Sequence, residues 1–81
     1  MVPLFGLEEE SSVSDHVYAL NEIVGSSTTS VDDAIRTAIK KAAGTIRNLE
    51  WFETNEIRGH IAEGDVAYFQ VKLKVGYRVD A

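Results

Sequence analysis

Residues 51–79 read WFETNEIRGHIAEGDVAYFQVKLKVGYRV, and the fold turns on how this stretch alternates. In its second half Ala67, Phe69, Val71, Leu73, Val75, Tyr77 and Val79 interleave with Tyr68, Gln70, Lys72, Lys74, Gly76 and Arg78. A period of two, apolar on one side and polar on the other, is the signature of a long half-buried strand. Ahead of it, Ala62-Glu63-Gly64-Asp65 has the chemistry of a hairpin turn. The first half alternates too, but with a slip of phase. Phe52 and Thr54 have one parity, Ile57 and Ile61 the other. One extra residue near Asn55, a β-bulge, reconciles them. With that bulge Trp51, Glu53, Glu56, Arg58 and His60 share one face, and the hairpin partner adds Gln70, Lys72, Lys74 and Arg78 to it.

Upstream, the pattern changes to a helical one. Ser30 is placed as an N-cap, with Asp32 and Asp33 favouring the positive end of the helix dipole. Val31, Ala34, Ile35, Ala38, Ile39, Ala42, Ala43, Ile46 and Leu49 follow the i, i+3, i+4, i+7 template. Arg36, Lys40, Lys41 and Arg47 take the other face. The many alanines predict close approach to a sheet. Gly44 inside this run costs on the order of 1 kcal/mol relative to Ala, and predicts a close neighbour. Further upstream, residues 15–24 (DHVYALNEIV) read as a strand ended by Gly25 and the loop Ser26 to Thr29. Both faces of that strand carry apolar residues, so its buried face stays open.

The order β-α-β-β defines an α+β domain. A helical crossover makes the first two strands parallel, and the hairpin makes the last strand antiparallel to its predecessor. The simplest sheet has the last strand in the middle, one face under the helix and the other bare. A bare face carrying a Trp predicts an interface or a ligand site.

Composition limits the rest. The chain has 81 residues, one small domain. Below roughly 70–80 residues a single core supplies only about 3–5 kcal/mol, so this length calls for an added staple. There is no cysteine, hence no disulfide and no thiolate metal site, which suits a cytoplasmic protein. Oligomerisation is the remaining staple. A net charge of −5 lacks the basic stripe that nucleic acid needs. No apolar run reaches the roughly 20 residues that span a bilayer. Residues 1–13 carry neither a basic segment nor a long apolar core, so no signal peptide is expected.

The candidate site residues each admit two readings. Trp51 is either a platform for a flat ligand or a subunit-interface anchor. Gln70 is a hydrogen-bonding partner or a solvated strand residue. Arg58 and Arg78 are phosphate binders or ion-pair partners of Glu53, Glu56 or Asp80. His16 and His60 lack metal-ligand spacing and read as surface or hairpin residues. Glu63 and Asp65 read as turn residues. No Ser/His/Asp or Cys/His set and no Gly-rich phosphate loop is present, so catalysis is not expected.

The stretches DHVYALNEIVGSSTTS, VDDAIRTAIKKAA, RNLEWFETNEIRGHI and AYFQVKLKVGYRVD together resemble the dodecins, small bacterial and archaeal flavin-binding proteins. The resemblance runs from about Ser14 to Asp80. It implies residues 14–81 as the dodecin domain and residues 1–13 as an extension. It further implies a three-stranded antiparallel sheet wrapped on one helix, assembled as a hollow homododecamer of trimers packed on two-fold axes. By the same resemblance Trp51 stacks on a flavin ring, in pairs between two copies, and Gln70 bonds its polar edge. Arg58 and Arg78 match positions that contact phosphate-bearing ligands or neighbouring subunits. The expected cofactor is FMN, with riboflavin, FAD and coenzyme A as further ligands. The implied function is flavin storage, with a coenzyme A- or ion-binding shell as the alternative and a flavoenzyme behind it. Thr54 departs from the Val usual there, a small change expected on a buried face. Leu4, Phe5 and Leu7 are expected to dock on this or a neighbouring subunit.

Overall fold

The computed structural model describes residues 15–79. The expected extension, its docking residues Leu4, Phe5 and Leu7, and Asp80 lie outside the described residues. The elements run β1 (Val17–Ser27), α1 (Val31–Ala43), β2 (Leu49–Ala62) and β3 (Asp65–Val79). They form a three-stranded sheet of order β1-β3-β2, with β3 antiparallel to both neighbours. The central place of the last strand follows from chain order, as expected.

The hairpin has the predicted turn. Glu63 and Gly64 both have positive φ, 53° and 77°, the pairing a two-residue hairpin loop favours because its twist matches the strands. The phase slip is resolved at Asn55. Thr54 pairs with Leu73 and Glu56 with Lys72, so two steps on β2 face one on β3. Two further shifts, between Leu49 and Trp51 and between His60 and Ile61, were not foreseen.

The N-terminus of α1 is tightly tied. Asp33 N donates to Ser30 Oγ at 3.0 Å. Ser27, buried at the end of β1, donates from Oγ to Asp33 Oδ2 at 2.7 Å and accepts from Thr29 N at 2.9 Å. One hydroxyl thus closes both the turn and the cap. On the outer side of the helix Arg36 donates to Asp32 at 2.9 Å. That hydrogen bond and the carboxylate charge raise the Arg36 pKa.

Three sequence expectations are corrected. First, β1 runs through Gly25 and ends at Ser27. A Cβ at Gly25 would collide with Ala34 O and lie 2.8 Å from the Ala38 Cβ. The glycine is there for contact between strand and helix. Second, α1 stops at Ala43. Gly44 is its C-cap, with N donating to Lys41 O at 3.1 Å, and no tertiary neighbour presses on it. Ile46 and Leu49 still pack on the core, but from the connection and from β2. Asn48, at φ 64°, turns the chain into β2, a conformation Asn tolerates better than most residues. Third, the helix does not cover the whole sheet face.

Val71, Leu73 and Val75 on β3 meet Ala34 and Ala38 on α1, with Ile23 from β1 at the side. Val71 and Leu73 are 0% exposed, and full burial of such a side chain contributes roughly 1.5–3 kcal/mol. The pairing Ile23 with Leu73, Gly25 with Val71 and Ser27 with Phe69 settles which face of β1 is inward. On β2, Phe52, Ile57 and Ile61 pair with Val75, Val71 and Val66 and so belong to the same face. Yet they are 47%, 58% and 72% exposed. Thr54, expected to be buried, is exposed as well. α1 lies over β1 and β3, and this wing of β2 extends past it.

Candidate functional site

The outer face of the sheet is built from rungs, each with one residue per strand. At one end stand Ser26, Gln70 and Arg58. Next come Val24, Lys72 and Glu56, then Glu22, Lys74 and Glu53, then Leu20, Gly76 and Trp51, with Tyr18 and Arg78 beyond. The bulge at Asn55 puts Trp51 and Arg58 on this one face.

Trp51 is half-buried. Its indole lies across Gly76, where a Cβ would clash with the ring and lie 2.6 Å from Cδ2. Only glycine lets the ring settle onto the strand. The ring meets Tyr18, with centroids 5.3 Å apart and planes at 69°, the T-shaped arrangement that aromatic quadrupoles favour. His16 in turn stands edge-on to Tyr18 at 6.3 Å. The indole is therefore in contact with the backbone of β3 while the residue stays half-buried. The Trp51 surroundings are less polar than its own strand suggests, because Tyr18 and Leu20 arrive from β1.

The other end is polar. Arg58 Nε donates to Gln70 Oε1 at 3.1 Å, which leaves the Gln70 amide NH₂ to donate elsewhere. Arg58 also stands 3.8 Å from Glu56, one of its expected ion-pair partners. Lys72 joins the strands, 3.7 Å from Glu56 and 4.0 Å from Glu22. These pairs are solvent-exposed, and each contributes about 0–1 kcal/mol. Ser26, Ser27, Thr28, Tyr68 and Gln70 line a shallow, open depression here. His60 is stacked on Tyr68, at 5.4 Å and 16°. Arg78 is half-buried, and its backbone is held by Asn48, whose O accepts from Arg78 N at 3.1 Å and whose Nδ2 donates to Arg78 O at 3.4 Å.

The four predicted site residues share the face but do not all meet. Arg58 and Gln70 are in contact. Trp51 and Gln70 are three rungs apart, roughly 20 Å at about 3.3 Å per residue. Arg78 belongs to the Trp51 end. The residues that sequence reasoning missed are Tyr18 and Gly76. An isolated glycine at an outward position of a long strand was the available signal for the second; Tyr18 had none while the faces of β1 were unassigned. Among the described residues no group of three or more His, Cys, Asp or Glu side chains is placed to hold a metal ion. No helix among them is long and apolar enough to cross a membrane.

A small β-α-β-β domain with a bare apolar wing on one side and an aromatic platform on the other has the build of a self-assembling binding protein. The comparisons give it a family. The family model described as Dodecin matches residues 17–80. The curated dodecin of Thermus thermophilus is 45% identical over 64 residues, which cover 79% of this chain and 93% of that relative. The solved dodecin from Streptomyces davaonensis superposes with a TM-score of 0.81 at 47% identity, covering 84% of this chain and all of its own. Dodecin from Streptomyces coelicolor gives 0.81 at 45% identity, over 85% of this chain and 99% of its own. This chain belongs to the dodecin family, whose members self-assemble.

Proposed function

We propose that this protein binds and stores flavin, FMN first among the candidates, as a cytoplasmic homododecamer without catalytic turnover. The observation that carries the reading is the half-buried Trp51 indole lying against Gly76 on the outer face of the sheet. A flat, partly polar tricycle is the ligand chemistry that such a plate suits, since aromatic stacking contributes roughly 0.5–1.5 kcal/mol beyond burial of area. Gln70, with its oxygen engaged by Arg58, offers amide donors to a carbonyl on the flavin's pyrimidine edge. Arg58 and Arg78 supply planar guanidinium groups suited to phosphate oxygens.

The separation of Trp51 from Gln70 adds a condition. No single flavin spans both within one chain, so a site using both draws them from different copies. Assembly is then a requirement for binding as well as a source of stability. The uncovered wing of Phe52, Ile57 and Ile61 is the apolar surface that a neighbouring copy would cover.

The test is direct. The purified protein should be yellow, and extraction should release FMN or riboflavin. Trp51→Ala should lose most of its FMN affinity in a fluorescence-quenching titration while the large species persists on a sizing column. Equal affinities would remove the stacking role. Coenzyme A in the extract without flavin would replace this reading by the nucleotide-shell alternative. NADH oxidation well above that of free FMN would revive the enzyme reading.

A further inference from the structure

We infer that Tyr18 and Gly76 are positioning residues that fix the plane of the Trp51 platform, so that binding depends on a strand with no predicted ligand contact. The inference rests on the flavin reading for its affinity arm and on geometry alone for its spectroscopic arm.

A tryptophan on an open strand has two side-chain torsions to lose on binding. Here both are constrained before any ligand arrives. Gly76 removes the Cβ that would lift the ring off β3, and the indole rests on the strand backbone. Tyr18 reaches across β3 from β1 and packs on the same ring in a T-shaped pair, which restrains its rotation. Leu20, opposite Gly76 in the ladder, completes the same rung. The two contacts on the ring, from Gly76 and Tyr18, come from two strands, so the plate has a fixed tilt relative to the sheet. A preorganised plate loses less side-chain entropy when a ring stacks on it. The ordering that a free indole would undergo on binding is supplied in advance by folding.

Trp51 is the single tryptophan of the chain, so near-ultraviolet circular dichroism of the indole reports on this one ring. Three variants test the inference. Tyr18→Leu keeps an apolar side chain but removes the aromatic ring. It should weaken FMN and riboflavin alike, by up to about tenfold given the size of one edge-on aromatic pair, and should flatten the indole dichroism. Far-ultraviolet dichroism and the elution volume should stay as in the parent. Tyr18→Phe retains the ring and should rescue both signals. Gly76→Ala should displace the indole and weaken binding by more than Tyr18→Leu.

Unchanged indole dichroism in Tyr18→Leu would overturn the inference, whatever happens to affinity. So would flattened dichroism with undiminished binding, because the plane would then not matter to the ligand. Failure of Tyr18→Phe to rescue would move the role from the ring to the hydroxyl and overturn it too. If Tyr18→Leu loses its fold, Gly76→Ala carries the test, and parent-like dichroism and affinity there would be decisive against the cradle. A parent protein that binds neither FMN nor riboflavin would defeat the flavin reading itself. In that case the dichroism of Tyr18→Leu still decides whether the plane is held.

Discussion

The two halves of the inner sheet face both carry large apolar side chains, and they end in opposite states. On β3, Val71, Leu73 and Val75 are sealed beneath α1. On β2, Phe52 and Ile57 are directly beside Val75 and Val71 in the ladder, and they and Ile61 are largely open to solvent. Nothing in side-chain chemistry separates the two groups. The difference is cover: a helix of 13 residues lies over β1 and β3 and leaves the far wing of the sheet bare. Alternation therefore reports which side of a strand is apolar, and says nothing of whether this chain or another supplies the lid.

The strongest way to break this contrast is to cut the sealed half. Leu73→Ala should cost about 2–5 kcal/mol, the usual range for a fully buried leucine. The loss should be the same at every protein concentration in chemical denaturation of the dissociated protein. Gly25→Ala comes next, because its methyl group would meet Ala34 O and Ala38. Overpacking of this kind costs about 1–3 kcal/mol, and calorimetry should show a lowered melting temperature. An unchanged value would mean that α1 can slide on β1.

Ile57→Ala sharpens the contrast from the other side. Within an isolated chain it removes a side chain that is already exposed, and should cost under about 0.5 kcal/mol. Within an assembly that covers the wing it should cost more, and the shift in melting temperature should then depend on protein concentration. A small, concentration-independent shift would mean that the wing stays wet. Ser30→Ala should cost about 1 kcal/mol from loss of the cap, less than Ile57→Ala in an assembly that covers the wing. It should be smaller still if Ser27 and Asp33 hold the turn without it, and a urea midpoint compared with the parent decides this.

Much of the fold was legible because it is written in local chemistry. The hairpin at Glu63-Gly64, the bulge at Asn55 and the cap at Ser30 each depend on residues adjacent in sequence. What was not legible depends on neighbours from elsewhere. The inward face of β1 could not be chosen because Leu20 and Val24 are apolar yet lie outward, beside Gly76 and Lys72. The helical periodicity runs on to Leu49 because Ile46 in the connection and Leu49 at the start of β2 both pack on the core in helical phase. Of the site, the shared face of Trp51, Arg58, Gln70 and Arg78 was foreseen. The long gap between its aromatic and amide ends was not, since placing residues on one face fixes no distance along it. Tyr18 was invisible for the same reason as the face of β1.

The single extra residue at Asn55 has a consequence for how this chain can vary over evolutionary time. It works as a phase shifter between two halves of one strand. Deleting it would rotate one half by a half-turn relative to the other, exchanging lid-side for solvent-side residues across the sheet. Held by the hairpin, Arg58 would stay outward while Trp51 and Glu53 swung inward and Phe52 swung out. A one-residue change in length would thus do more damage here than most substitutions, without altering any side chain. Insertions and deletions should be tolerated at the Glu63-Gly64 tip and purged along β2, so related chains are expected to hold the spacing from Trp51 to Arg58 constant even where the intervening residues drift.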